Sequence, residues 1–110
     1  MFTVLTVIRK RPEVTTDEFR HFMKNVYGRT YAEMPQTRSY VQHFLSDLTT
    51  DGVEDPIDAI VQISFDSQEE MQKALQVPSY DAAAKAREVY MRDTSVGIHS
   101  AVVDEINTMR

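Results

Sequence analysis

Residues 57–65 read Ile-Asp-Ala-Ile-Val-Gln-Ile-Ser-Phe, and their alternation decides the architecture. Ala59, Val61, Ile63 and Phe65 form one apolar parity, while Asp58, Ile60, Gln62 and Ser64 form a mixed one. A period of two with β-branched residues is the mark of a strand with one face in a core. Upstream, residues 37–46 (Thr-Arg-Ser-Tyr-Val-Gln-His-Phe-Leu-Ser) read as another strand. The polar stretch from Asp47 to Pro56 separates the two, so they pair as a long-looped antiparallel hairpin. Residues 2–9 supply a first strand, rich in the β-branched Thr3, Val4, Thr6, Val7 and Ile8. Here both parities are apolar, Phe2, Val4 and Ile8 on one side and Leu5 and Val7 on the other. A sheet face open to water alternates more cleanly, so the second face needs a cover.

Helices fill the intervals. Pro12 stops the first strand, and Thr15-Thr16-Asp17-Glu18 is a capping box with acidic charge in the first helical turn. Phe19, Phe22, Met23, Val26, Tyr27 and Thr30 then recur at helical spacing, giving an amphipathic helix of about four turns that ends before Pro35. Ser67 with Glu70 starts a short helix through Met71, Ala74 and Leu75, which Pro78 is expected to end. A second, Ala-rich helix is expected from Ser79 to about Arg92, with Tyr80, Ala83, Ala84, Arg87, Tyr90 and Met91 on one side. Thr94 to Ile106 supplies a final strand. The order strand, helix, strand, strand, helix, strand is α+β: a ferredoxin-like split βαβ antiparallel sheet with its helices on one face. A second copy of the sheet is the economical cover for the other face, which predicts a homodimer.

Composition agrees with one domain over residues 1–110. The chain has 110 residues, 42% hydrophobic and 26% charged, enough to bury roughly two-thirds of the unfolded surface but not to build two cores. Lys and Arg total 12 against 17 Asp and Glu, and a net charge of -5 repels phosphate backbones, so nucleic acid is not expected as a partner. The Arg9-Lys10-Arg11 cluster is too short for a phosphate track. No Cys is present, which removes disulfides, thiolate metal sites and Cys nucleophiles and is compatible with a cytoplasmic location. The longest stretch without charged residues, Thr94 to Val103, is far short of the roughly 20 residues that span a bilayer, so no membrane helix is expected. No His-x-x-x-His or acid-rich EF-hand spacing occurs, Asp47 with Asp51 reads as turn chemistry, and no metal is expected. With 3 Gly there is no phosphate cradle, and no cofactor is expected.

The chain resembles the EthD-like proteins of the dimeric α+β barrel superfamily over nearly its whole length. The resemblance is carried by Phe19, Tyr27-Gly28, Met34-Pro35, Tyr40-Val41-Gln42, Asp58-Ala59-Ile60 and Phe65-Asp66-Ser67. It implies protomers that pair sheet to sheet as a dimeric α+β barrel, each with a small apolar pocket between sheet and helices. It also implies catabolism or biosynthesis of a small apolar or lactone-like compound by cofactor-free oxidoreductase- or isomerase-like chemistry. The alternative is a non-catalytic ligand-binding or accessory protein of an oxidative degradation pathway. Two motifs depart from the family pattern. Tyr27-Gly28-Arg29 stands where His-Gly-Pro is usual, and Phe44 ends a second-strand motif that often ends in His. Proton transfer by histidine is not available from those two places.

Several residues are candidates for the site. Tyr27 faces the sheet, either as a core aromatic or as a catalytic hydroxyl that donates to a carbonyl or lactone oxygen. Gly28 beside it is poor in a helix and points to a kink or a close backbone approach. Tyr40 and His43 lie three apart on one strand and so face opposite ways. The resemblance puts Tyr40, Gln42 and Phe44 on the helix side, with Tyr40 and Gln42 orienting substrate, and sends His43 to the subunit interface. His99 has the same ambiguity of face, with a buried, hydrogen-bonded structural role as the default, and His21 is expected in solvent. Arg87 falls on a small, apolar helix face, where its charge reaches solvent, pairs with Asp58 or meets a carboxylate-bearing ligand.

Overall fold

In the computed structural model the described residues are 1–48, 56–92 and 98–110. Part of the loop expected from Asp47 to Pro56, including Asp51, and the first residues of the strand expected from Thr94 lie outside them. The elements run β1 (Phe2–Ile8), α1 (Thr16–Phe22), a π-helical turn (Met23–Tyr27), α2 (Gly28–Ala32), β2 (Ser39–Phe44), β3 (Ala59–Phe65), α3 (Gln68–Ala74), α4 (Pro78–Tyr90) and β4 (Ile98–Val102). The four strands form an antiparallel sheet in the order β2-β3-β1-β4, the ferredoxin-like arrangement.

Register sorts the side chains. Ile63 sits opposite Val4 on one side and Tyr40 on the other, Val61 opposite Thr6 and Gln42, and Ala59 opposite Ile8 and Phe44. This parity faces the helices and meets Phe19, Phe22, Met23 and Tyr27 of the first helical stretch together with Ala83 of α4. A second core group joins Phe65, Ile63, Met34 and Ala74 beneath α3. At the open end of the sheet, Arg20 and Lys24 lie over the Phe44 ring at 5.6 and 5.4 Å from its centroid. The other parity forms the helix-free face. There His43, Ile60, Val7 and His99 make one cross-sheet row, and Val41, Gln62, Leu5 and Ala101 the next.

The capping box forms as the sequence predicts: the Glu18 amide donates to Thr15 Oγ1 and the Thr15 amide to Glu18 Oε1, both at 3.1 Å. Three expectations are corrected. The long helix is not a uniform α-helix, because the Gly28 amide bonds the Met23 carbonyl five residues back. That extra residue turns Val26 outward, 47% exposed, and brings Tyr27 and Gly28 inward in its place. Pro78 begins α4 rather than ending α3, since its missing N–H costs nothing in a first turn; α3 has already closed at Ala74. The last strand stops at Val102 and not Ile106, because its neighbour β1 starts at Phe2 and the Val103 amide takes the carbonyl of Thr3. Among the described residues no helix is long and apolar enough to cross a membrane.

Candidate functional site

Between the sheet and the helices lies a cavity of about 230 Å³. Its floor is Val61, Ile63 and Phe65, its roof comes from α3 and α4, and its walls carry Tyr27, Tyr31, Tyr40 and Tyr80. Tyr31 is the hub of this aromatic wall. Its ring lies 4.9 Å from that of Tyr27, runs parallel to Tyr40 at 5.9 Å and meets Tyr80 edge-on at 6.1 Å. On the sheet side, the hydroxyls of Thr6 and Ser100 lie on paired strands, hydrogen-bonded at 2.8 Å. Arg87 completes the lining from α4.

The π-helical turn fixes the geometry of one wall. Gln42 Nε2 donates to the Met23 carbonyl at 2.9 Å and to the Tyr40 hydroxyl oxygen at 3.1 Å. Because Tyr40 accepts there, its own proton is left to donate elsewhere. Gly28 makes the approach possible: a Cβ at that position would lie 2.5 Å from Gln42 Nε2 and 2.6 Å from the Met23 carbonyl oxygen. The close backbone approach expected at Gly28 is therefore present, and Gln42 is its other half.

The structure brings Tyr27, Tyr40 and Arg87 to one cavity and leaves two other expected residues out of its lining. Gln42 sits behind Tyr40 and reaches the cavity only through that hydroxyl. Asp58 is at the end of the sheet, where its amide bonds the Ile8 carbonyl and its Oδ2 accepts the Lys10 amide at 2.9 Å. The Asp58 to Arg87 ion pair is not formed, because the β1–β3 register places that carboxylate under the Lys10 backbone. His43 and His99 share the helix-free face, both exposed, so the buried role expected of His99 is corrected by its place opposite Val7 on that open side; His21 is exposed, with Asn25 bonded to its ring and carbonyl. Tyr31 and the Thr6–Ser100 pair are not visible as site residues in the sequence. For Tyr31 the available signal is its place four residues after Tyr27, which matters once the π turn has swung that stripe inward.

Electrostatics define what the cavity offers. Burial pushes the Tyr31 phenol far above its ordinary range, and neighbouring Tyr27, by its proximity and a hydrogen bond, adds to the effect. Burial also raises Tyr40, against a smaller opposing pull from its bond to Gln42. Both are neutral donors near pH 7. Among the described residues no carboxylate or imidazole lines the cavity, and none forms a cluster of three potential metal ligands.

The EthD domain family model matches residues 11–95. Solved structures of similar shape include an ethyl tert-butyl ether D (EthD) family protein from Bacillus halodurans, 15% identical, with a TM-score of 0.72 over 96% of this chain and 100% of that one. A dimeric ferredoxin-like protein of unknown function from Thermobifida fusca is 15% identical, with a TM-score of 0.71 over 93% and 88%. SnoaB of Streptomyces nogalater, a cofactor-independent oxygenase, is 14% identical, with a TM-score of 0.66 over 98% and 95%. No curated protein matches the chain.

Two outcomes follow from this geometry. Ala exceeds Gly by about 1 kcal/mol in a helix interior, yet Gly28→Ala is expected to lower the melting temperature, because Gln42 must withdraw. A rise in the melting temperature, followed by circular dichroism, shows that the approach is not constraining. The raised phenols give a pH dependence of definite sign. Above about pH 10 an unfolded chain releases tyrosine protons that folded Tyr31 and Tyr40 retain, so this contribution is intact below that pH and is lost as the pH rises. Denaturant titrations are expected to show stability falling on that limb, with a shallower fall in Tyr31→Phe and Tyr40→Phe.

Proposed function

Because the chain belongs to the EthD family, we propose that it serves small-molecule metabolism, holding one compact apolar or lactone-like compound in the cavity between sheet and helices. The observation that carries this reading is the tyrosine wall: four phenol rings around an apolar floor, with hydroxyl donors available to an oxygen of the ligand. An engineered apolar cavity of about 150 Å³ holds benzene, so about 230 Å³ suits one ring with substituents or a small fused pair.

In this reading Tyr27 is the donor that polarises a carbonyl or lactone oxygen, drawing electron density toward that oxygen as negative charge develops. Tyr40, oriented by Gln42, fixes the second oxygen or the ring plane. As hydrogen-bond donors these phenols stabilise developing charge, and in isomerase- or oxidoreductase-like chemistry a proton lost from the substrate passes to solvent water while an oxidation delivers its electrons to dioxygen as co-substrate. A second reading, a non-catalytic ligand-binding or accessory protein, is favoured by the lack of a carboxylate or imidazole on the cavity among the described residues. A cytoplasmic location is part of the proposal, with which the absence of Cys is compatible.

The helix-free face supports a homodimer paired sheet to sheet. Leu5 and Val41 are 37% and 40% exposed there, beside Val7 and Ile60, and the Thermobifida fusca neighbour of the same shape is described as dimeric.

Two measurements test the proposal. With coumarin, a compact aromatic lactone, as the probe in ligand-observed NMR, Tyr27→Phe is expected to weaken binding about tenfold, the worth of one hydrogen bond to a desolvated oxygen. His21→Ala is expected to leave binding unchanged, and equal affinity in Tyr27→Phe removes Tyr27 from the donor role. Light scattering at micromolar concentration is expected to return twice the 12.7 kDa protomer mass; a single protomer mass rules out the paired sheets.

A further inference from the structure

Arg87 is the one charged side chain on the cavity lining among the described residues, in a chain whose net charge is -5. Its guanidinium has no hydrogen bond, ion pair or ring face to occupy it among those residues. The carboxylate expected to pair with it, Asp58, is held at the end of the sheet by the Lys10 amide. Among the described residues the lining contains no acid at all. Tyr31 feels the charge of Arg87, but burial raises its phenol and outweighs that opposing pull. A half-buried cation left unneutralised beside an apolar floor is costly unless something in the cavity completes it.

We propose that the cavity selects small aromatic carboxylates, with Arg87 taking the carboxylate while the ring lies among Tyr31, Tyr40 and Tyr80 over the Ile63 and Phe65 floor. This rests on the reading of the cavity above as a small-molecule site, and takes its ligand to be an apolar ring that carries a charged carboxylate rather than a neutral lactone. The guanidinium is a flat fork that matches the two oxygens of a carboxylate, and a phenol donor on the opposite wall adds a hydrogen bond without competing charge. A carboxylate accepts from both kinds of donor at once, whereas a neutral amide of the same shape presents one oxygen and brings an NH2 that faces a cation.

Benzoate and benzamide, nearly identical in shape, separate charge from fit. Calorimetric titration of the wild-type protein is expected to show benzoate binding at least tenfold more tightly than benzamide. In Arg87→Gln the ratio of the two affinities is expected to fall to about one, and Arg87→Lys is expected to keep part of the preference. Equal affinities for the two probes in the wild type overturn the carboxylate assignment and leave the cavity reading standing. A preference that survives in Arg87→Gln also overturns it. If neither probe nor coumarin binds at millimolar concentration, the cavity reading falls together with this one.

Discussion

A single side-chain amide joins the first helical stretch to the sheet in a way that shapes the whole cavity. Gln42 on β2 gives one N–H to the Met23 carbonyl and one to the Tyr40 hydroxyl. The carbonyl it reaches is the one at which the backbone makes its five-residue bond to the Gly28 amide. A π turn, a residue without a Cβ and a long amide side chain therefore depend on one another. A Cβ at position 28 would press on both Gln42 and the Met23 carbonyl, and the π turn ends at Tyr27, whose ring meets that of Tyr31 on the cavity wall. π turns are uncommon because they forfeit regular helical bonding, and they recur where a side chain must be re-aimed at a site.

What is re-aimed is a set of phenols, and the choice of phenol matters. Phenylalanine fills the same space without a polar tip, and histidine brings a titrating ring at neutral pH. Tyrosine in a desolvated wall gives aromatic surface together with a donor that stays protonated, since burial moves Tyr31 and Tyr40 further from ionisation. Among the described residues the cavity thus combines apolar packing, fixed hydrogen-bond donors and one positive charge, a combination suited to recognising an oxygen-rich end on an otherwise apolar molecule.

Much of this is legible in the chain alone. The parity of residues 57–65 names the faces of β3, and Ala59, Val61, Ile63 and Phe65 do face the helices. Thr15 with Glu18, and Ser67 ahead of Glu70, locate two helix starts, because cap chemistry is local and leaves its residues side by side in the chain. The departures share a different cause. Nothing in residues 23–27 announces an extra residue per turn, and the side chain that bonds the π turn's first carbonyl is Gln42, nineteen positions away. Tyr31 stays hidden because its inward direction depends on that turn. Asp58 suits Arg87 on charge alone, but the register of β1 against β3 commits its carboxylate to the Lys10 amide. Local signals survive in sequence, and long-range register does not.

The alternation of the sheet has a further consequence. Along β1, Val4, Thr6 and Ile8 belong to the cavity and core side, whereas Thr3, Leu5 and Val7 belong to the opposite surface, and β2 divides in the same way between Tyr40, Gln42, Phe44 and Ser39, Val41, His43. Neighbouring codons therefore answer to separate physical demands. Substitutions at one parity retune what the interior accepts, and those at the other retune what the exterior meets, so the two properties drift independently within a single strand of six or seven residues.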